Sequence, residues 1–314
     1  MAETAKRIRV DAKTFQEPLS QLVQTMVEKV FREGAAKGGW LPHVSEDVSM
    51  LLRYSLSIYH LLYYLNADSR RQNDCGWRVE YGVTAMSLVR SLIDCFYNVT
   101  AILQSPATKG LQYRCSGLRN ALTDLDDLLE KYKGKPEWDS YINERKNYLD
   151  ILIRPTGMTR EEIMMQPKWP TLGKYVSDKG PGGTRTTHQE FLDTFTRLEW
   201  RQYSALSHGA YEAFMGVLGD KPPIGAYYVS DFLPHEERPK VNAGYDEFLS
   251  RHAGMATTLL LCLVTELQAY CRFDGANING RICEIWMALL PLLPAKELHD
   301  GRYAKLMADK GISR

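Results

Sequence analysis

The stretch LLRYSLSIYHLLYYL, residues 51–65, decides the fold class of this chain. Its apolar residues recur at intervals of three and four positions, which is the period of a helix with one buried face. Ser45 stands upstream as a candidate N-cap, and Glu46 and Asp47 then place negative charge in the first turn, where the helix dipole favours it. We therefore predict a long amphipathic helix that begins near Ser45 and runs through this stretch.

The same period continues on both sides of this helix, and segments of strict alternation are nearly absent. An N-terminal helix is predicted from Pro18, a favoured residue of a first turn, to Gly34, a favoured stop. Short links such as KGKPEW, which contains the helix breakers Gly and Pro, favour antiparallel neighbours. The expected fold is an all-α antiparallel helical bundle, with further helices at about 78–104, 110–132, 137–153, 187–219 and 244–272, and with one or two more within 281–308.

Composition along the chain suggests an N-terminal helix with its linker, a central bundle and a C-terminal helical extension, at 1–44, 45–272 and 273–314. Within the bundle, residues 154–186 are rich in Pro and Gly and are predicted to form an insertion with at most two short helices. A capping box of Thr159 and Glu162 opens the first of them.

Overall composition excludes several classes of protein. With 314 residues, 44% hydrophobic and 25% charged, the chain has the composition of a soluble globular protein. Its formal charge of +1 gives no general attraction to nucleic acid or to acidic membranes. Apolar runs such as LLLCLV are far too short to span a membrane. A cytoplasmic location is expected, because the cysteines lack metal-ligand spacing and are predicted to be reduced core thiols: Cys75, Cys95, Cys115, Cys262, Cys271 and Cys283.

The segment RQYSALSH, residues 201–208, carries the sharpest functional signal. It lies in a predicted helix that a second capping box, Thr187 and Glu190, opens and that continues to Gly219. Seven helical steps leave Arg201 and His208 only about 20° apart around the axis and about 10.5 Å apart along it. Three further polar residues extend the same stripe at helical spacing, namely Arg197, Ser204 and Tyr211.

An arginine and a histidine on one helix face can support metal-independent cleavage of RNA. Histidine accepts and donates a proton near neutral pH, and arginine binds phosphate and stabilises the charge that develops on it. In such a reaction the 2′-hydroxyl of RNA attacks the adjacent phosphate and leaves a cyclic phosphate and a 5′-hydroxyl. His208 is the candidate acid/base and Arg201 the candidate phosphate ligand. Because they are far apart along the axis, a second copy of the chain could complete the site.

These residues also carry a resemblance to known proteins. An arginine, four to six residues and a histidine on the last helix of a four-helix bundle resembles the HEPN superfamily, which includes dimeric RNases of defence and toxin–antitoxin systems. The segment YSALSH, which begins at Tyr203, together with RSLIDCFYN at 90–98, is also similar to an uncharacterised bacterial helical family. The resemblance covers about residues 45–270. It implies an RNase or toxin-type function, a dimer, and RNA or an antitoxin protein as partner.

Alternatives remain open for each of these residues. The segment RYSLSIYH, with Arg53 and His60, has the same spacing, and a satisfied structural histidine fits either segment. Arg90 and Asp94, four residues apart, are either a surface ion pair or part of a polar pocket that faces the helix opened at Thr187.

Nearby tyrosines, Tyr54, Tyr59, Tyr63 and Tyr64, could stack on nucleic-acid bases, although core packing is the commoner role. No phosphate-binding loop, dinucleotide fingerprint, hydrolase elbow or HExxH motif is present, so neither a cofactor nor a metal is expected.

The sequence therefore supports two hypotheses. The first is a metal-independent endoribonuclease in which Arg201 and His208 are catalytic. Its supporting or substrate-binding residues would be Tyr203, Ser204, Arg197, Tyr211, Arg90 and Asp94. The second is a non-catalytic helical protein that uses the same polar residues to bind a ligand or another protein.

Overall fold

The computed structural model describes residues 12–68, 78–179, 183–195, 200, 201, 203, 204, 238–275 and 277–313. The described part is all-α and contains no strand, as predicted. Its α-helices are α1 (Glu17–Gly38), α2 (Pro42–Asp68), α3 (Arg78–Gln104), α4 (Leu111–Lys131), α5 (Asp139–Ile153), α6 (Arg160–Met165), α7 (Leu172–Ser177), α8 (Thr187–Phe195), α9 (Arg238–Cys271), α10 (Ile278–Leu289), α11 (Leu293–Leu298) and α12 (Ala304–Lys310).

Helix α1 extends beyond its predicted stop. Gly34 lies inside the helix, where a Cβ would come within 3.0 Å of Ser45 Oγ, so this glycine permits close packing of α1 on α2. The helix ends at Gly38, and Gly39 then adopts the left-handed conformation with φ 65° and donates its N–H to the Ala35 carbonyl. A glycine therefore does terminate the helix, but it is Gly39 and not the predicted Gly34.

Helix α2 begins at Pro42, three residues before the predicted N-cap. Ser45 is buried inside the helix, so it caps nothing. One face of α2 packs on α1 and on α9, and Tyr59 on that face lies within hydrogen-bonding distance of Thr257 of α9, with the hydroxyls 3.2 Å apart. The opposite face is exposed and carries apolar as well as polar residues, among them Met50, Tyr54, Leu61 and Tyr64.

Helix α9 is the central element of the main core. It packs against α1, α2 and α3, and residues 256–269 are buried on every side of the helix. Segments 84–104 of α3 and 249–271 of α9 are long and apolar enough to cross a membrane by length and composition alone. Because most of each segment is buried in the protein, and core helices pass the same test, this is weak evidence for a membrane span.

The C-terminal helices close the main core from one side. Trp286 of α10 is 1% exposed, donates its indole N–H to Thr265 Oγ1 at 3.0 Å and stacks on Tyr303 with ring centroids 5.2 Å apart. Arg302 Nε donates to Glu266 Oε1 of α9 at 2.8 Å. The main core thus draws side chains from the beginning, the middle and the end of the chain.

Helices α4, α5 and α6 form a smaller unit with its own apolar cluster. The predicted KGKPEW link is a short turn that ends in a 3₁₀ segment, Pro136–Trp138, and α4 and α5 pack against each other. The predicted capping box of Thr159 and Glu162 is confirmed at the start of α6. This unit, called the side unit below, buries Cys115, Leu118, Leu122, Leu125, Ile142, Leu149 and Ile163.

The capping box of helix α8 lies one residue earlier in the sequence than predicted. Gln189 N–H donates to Thr186 Oγ1 at 3.2 Å, and Thr186 N–H donates to Gln189 Oε1 at 2.8 Å, which forms the reciprocal pair of a capping box. Thr187 is therefore the first helical residue and not the cap. Most of the predicted continuation of this helix to Gly219 lies outside the described residues.

Candidate functional site

Three polar side chains of α3, Arg90, Asp94 and Asn98, follow one another at four-residue intervals and so lie on one side of the helix. Two of them accept hydrogen bonds from tryptophans that are distant in sequence. The Trp200 indole Nε1 donates to Asp94 Oδ1 at 2.8 Å, and the Trp169 Nε1 donates to Asn98 Oδ1 at 2.8 Å. These three residues, called the α3 polar stripe below, thus hold two indole rings beside one helix.

Arg90 lies next to Trp200 at the N-terminal end of this stripe. Its guanidinium carbon is 5.6 Å from the centroid of the Trp200 ring, which is within cation–π range. Asp94 Oδ2 is 3.9 Å from Arg90 Nη2, a distance too long for a hydrogen bond. Arg90 Nε is buried and, within the part of the chain that the structure describes, has no hydrogen-bond partner. The cation therefore has hydrogen-bonding capacity that Asp94 does not use.

A second arginine, Arg114 of α4, is held much more tightly. Its Nε donates to Asp47 Oδ2 at 3.0 Å and its Nη2 donates to Asp47 Oδ1 at 2.9 Å, which is a two-pronged ion pair. The same Nη2 also lies 3.0 Å from Glu46 Oε2 and 3.2 Å from the His43 carbonyl oxygen. Both side chains of the Arg114–Asp47 pair are about 90% buried, being 10% and 9% exposed. This pair joins the side unit to α2.

A cleft of about 650 Å³ lies between the α3 polar stripe, α4 and the segment that leads into α7. Asp47, Arg90, Asp94 and Arg114 line it, so two cations and two carboxylates share the site. Tyr97 donates its hydroxyl to the Pro170 carbonyl at 2.8 Å, which ties the segment before α7 to α3. Much of the remaining wall is aromatic and comes from Tyr97, Tyr113, Tyr148, Trp169 and Trp200.

Burial controls the protonation of several groups in this cleft. It raises the pKa of the Asp94 carboxyl, against the opposing effects of the Trp200 hydrogen bond and of Arg90. It also raises the pKa of Asp47, although Arg114 favours the ionised form. Burial, with smaller contributions from Cys95 and Asp47, raises the pKa of Tyr113 to about 12, so this phenol remains a proton donor in neutral solution.

The sequence-predicted catalytic pair is only partly described. Arg201 is exposed and follows Trp200 directly, while Ser204 is half-buried. Tyr203 is buried, and its hydroxyl lies 2.9 Å from His252 Nε2 of α9. His208, Arg197 and Tyr211 lie outside the described residues. The structure therefore places Tyr203 against the core, while Arg201 is exposed next in sequence to Trp200, which lines the cleft.

The second segment with the same spacing lies elsewhere. Arg53 and His60 are both exposed on α2, and neither lines the cleft. His60 Nε2 is 2.9 Å from Ser20 Oγ of α1, which gives this histidine a structural partner. The neighbouring tyrosines divide into two groups, because Tyr59 and Tyr63 are buried in the core whereas Tyr54 and Tyr64 are exposed.

Sequence reasoning anticipated a polar pocket at Arg90 and Asp94 but missed the residues that complete it. Asp94 does contact the segment beyond Thr187, through Trp200, which precedes the quoted RQYSALSH. Trp169 lies in the Pro-rich insertion, in the segment KWP. A large aromatic residue in such a segment could have indicated that the segment packs against the bundle. Arg114 carried no comparable signal, because its partners are 67 and 68 residues away.

Two further observations bear on the chemistry of the site. Within the described residues, no group of three or more His, Cys, Asp or Glu side chains is placed to hold a metal ion. No protein-family model, curated protein or solved structure matches this chain. Its function has to be inferred from its own residues.

Proposed function

We propose that this protein binds a small molecule with a flat ring in the cleft beside the α3 polar stripe. The observation that carries this proposal is the pair of indoles, Trp169 and Trp200, whose N–H groups are each held by an acceptor of α3 while the side chains line the cleft. Aromatic walls with a few fixed polar groups are typical of small-molecule sites, and about 650 Å³ is within their usual size.

Holding the indoles in advance favours binding. A tryptophan whose N–H is already bonded keeps its orientation, so little conformational entropy remains to be lost when a ligand packs against the ring. Tyr113 supports Trp169 from the side, with ring centroids 5.3 Å apart and planes at 82°. The walls are thus built by contacts within the protein, and a ligand need not assemble them.

Thermal unfolding in the presence of adenosine or 2-naphthamide tests this proposal. A bound ligand at 100 times its Kd stabilises the folded state by about 2.7 kcal/mol, which raises Tm by several degrees. Trp169→Leu and Trp200→Leu should abolish the increase. Trp138→Leu is the matched control, because Trp138 stacks on Tyr132 and does not line the cleft. An unchanged Tm for the wild type with every flat compound would contradict the proposal.

The metal-independent endoribonuclease remains a second proposal, in which Arg201 and His208 act on RNA and a second copy completes the site. One observation favours it: Arg201 is exposed immediately after Trp200, so an RNA base stacked on the cleft wall would bring phosphate near this arginine. The HEPN resemblance also supports it. In this proposal the same cleft serves as a base-binding subsite.

Cleavage of a labelled RNA in the presence of EDTA tests the second proposal. We expect His208→Ala to abolish cleavage with little change in Tm, and Arg201→Lys to impair it, since an ammonium does not reproduce the planar contact with phosphate. His60→Ala, which changes the segment of equal spacing on α2, is the control. Equal effects of the two histidine variants, or no cleavage by the purified wild type, would leave the ligand-binding proposal alone.

A further inference from the structure

We infer that the ligand of this cleft is an aromatic monocarboxylate, whose carboxylate binds Arg90 and whose ring lies against the indoles. The inference rests on the proposed ligand-binding function and adds the chemical class of the ligand. Its basis is the difference between the two arginines of the cleft and the balance of charge around them.

The two arginines differ in how far their donors are used. Arg114 donates to Asp47, Glu46 and a backbone carbonyl, so its charge and its fork of N–H groups are already engaged. Arg90 Nη2 lies 3.9 Å from an Asp94 oxygen, and its buried Nε has no hydrogen-bond partner among the described residues. A buried donor without a partner costs free energy that a ligand acceptor would recover. A ligand acceptor therefore gains more binding free energy from a hydrogen bond to Arg90 than from one to Arg114.

Asp94 cannot fill that role for Arg90. Its Oδ1 accepts the Trp200 indole N–H at 2.8 Å, which fixes the carboxylate on the ring side of the cleft. Rotating it towards Arg90 would leave the Trp200 N–H without that acceptor. The structure thus leaves the cation and the carboxylate of the same helix close enough to attract each other, at 3.9 Å, but without a hydrogen bond between them.

The balance of charge disfavours a ligand with more than one negative charge. The cleft is lined by Arg90, Arg114, Asp47 and Asp94, two cations and two carboxylates, and Glu46 adds a third carboxylate at Arg114. A carboxylate matches the planar guanidinium in geometry and adds one charge. A phosphate monoester would bring close to two charges into a site that already holds Asp94.

The position of Arg90 also specifies the ring. Its guanidinium lies over Trp200, so a carboxylate that it binds begins beside that indole. Trp169 is held one helical turn further along α3, at Asn98. A flat ring joined directly to the carboxylate would extend along α3 in that direction and pack against aromatic walls, where each good contact of this kind adds to affinity.

Calorimetric titration of the full chain with two matched probes tests the inference. The probes are 2-naphthoate and 2-naphthamide, which share ring and shape and differ in charge. We expect 2-naphthoate to bind more tightly by a factor on the order of 10 to 100, the value of charge-assisted hydrogen bonds to one arginine. Arg90→Gln should remove this difference. Arg53→Gln, which removes the same charge from exposed α2, should keep the difference.

The possible results separate the inference from the proposed function. Equal affinity for the two naphthalene probes would overturn the inference and leave the proposed function intact, whereas no binding of either probe at millimolar concentration would overturn both. Tighter binding of adenosine 5′-monophosphate than of 2-naphthoate would overturn the limit to one charge, and equal binding of cyclohexanecarboxylate would overturn the flat ring. Should Arg90→Gln fail to fold, Arg90→Lys and the wild-type comparison of the two probes still decide.

Discussion

The main core and the side unit differ in how completely their helices are buried. In the main core, α9 is covered by α1, α2 and α3, and its residues 256–269 are buried all round. The side unit has a small apolar cluster, and α5 leaves Tyr141, Tyr148 and Ile151 exposed. The cleft lies where the two regions meet, since α2 and α3 form one wall and α4 and α5 the other. At such a junction, the wall formed by the main core is held by extensive packing. The wall formed by the side unit is held by less packing energy.

Trp286→Ala should have the largest effect on stability, because it removes the largest fully buried side chain of the main core. We expect a loss of about 3–5 kcal/mol from the lost contacts and the remaining cavity. Urea unfolding would measure the loss, and hydrogen exchange should quicken throughout α1, α2, α3 and α9. In Leu122→Ala, faster exchange should be confined to residues 111–165. A uniform response to Leu122→Ala would show that the side unit unfolds only with the core.

Arg114→Ala should come next, because it breaks the connection between the two regions. Removing the arginine leaves Asp47 buried without its cation, at a cost on the order of 3 kcal/mol in chemical denaturation. Arg119→Ala on the same helix is the control, since Arg119 donates to a backbone carbonyl, that of Gln166. Replacing both members of the pair, as Arg114→Met with Asp47→Leu, should recover most of the loss. If the double variant is no more stable than Arg114→Ala, an orphaned charge is not the cause.

His188 should make stability depend on pH. Burial, with a smaller effect of Arg302, lowers its pKa to about 4, and its Nδ1 lies 2.9 Å from the Tyr175 hydroxyl. Between pH 6.5 and 4 the unfolded chain binds a proton there that the folded protein does not, so stability falls as pH is lowered through this window. The loss amounts to roughly 2–3 kcal/mol.

Urea unfolding at several pH values, compared between the wild type and His188→Gln, isolates this contribution. The variant should lose the extra dependence between pH 4 and 6.5, whereas His60→Gln, at an exposed histidine, should keep it. An identical pH profile for the wild type and His188→Gln would contradict the assignment.

Asp94→Ala should have the smallest effect of the four. The side chain is 34% exposed and accepts one indole hydrogen bond, so we expect a loss of about 1 kcal/mol. This value lies between those of a fully buried charge and of a solvated surface pair. Asp124→Ala, at an exposed position of α4, should change stability by less than about 0.5 kcal/mol. A loss as small for Asp94→Ala would mean that Trp200 does not depend on this carboxylate.

Local periodicity was enough to predict the helices but not all of their ends. Helix α3 has the predicted bounds, because its apolar pattern runs unbroken from one end to the other. At the start of α2, Glu46 and Asp47 have the composition of a first helical turn, yet they pair with Arg114, 68 and 67 residues away. At α8 two overlapping pairs fit the capping pattern, and only the contacts of Gln189 with Thr186 distinguish them.

The candidate site was predictable on one side only. The spacing of Arg90 and Asp94 indicated a polar stripe on α3, because helical geometry alone brings these residues together. The tryptophans that bond Asn98 and Asp94 come from 71 and 106 residues further along the chain, and such pairings depend on how helices pack. The two catalytic candidates stay predictions, since His208 is not among the described residues.

The buried thiols allow the opening rate of each region to be measured by chemical modification. Cys262 and Cys271 lie in α9, Cys95 in α3 and Cys115 in the side unit, and all four are free and buried. Burial raises the pKa of Cys95 to about 11 and that of Cys271 to about 12, so at these two positions the folded protein offers a thiol reagent neither access nor thiolate. Alkylation must wait for an opening event. The rate at which Cys115 is modified, compared with Cys262, therefore records how often the side unit separates while the main core stays closed.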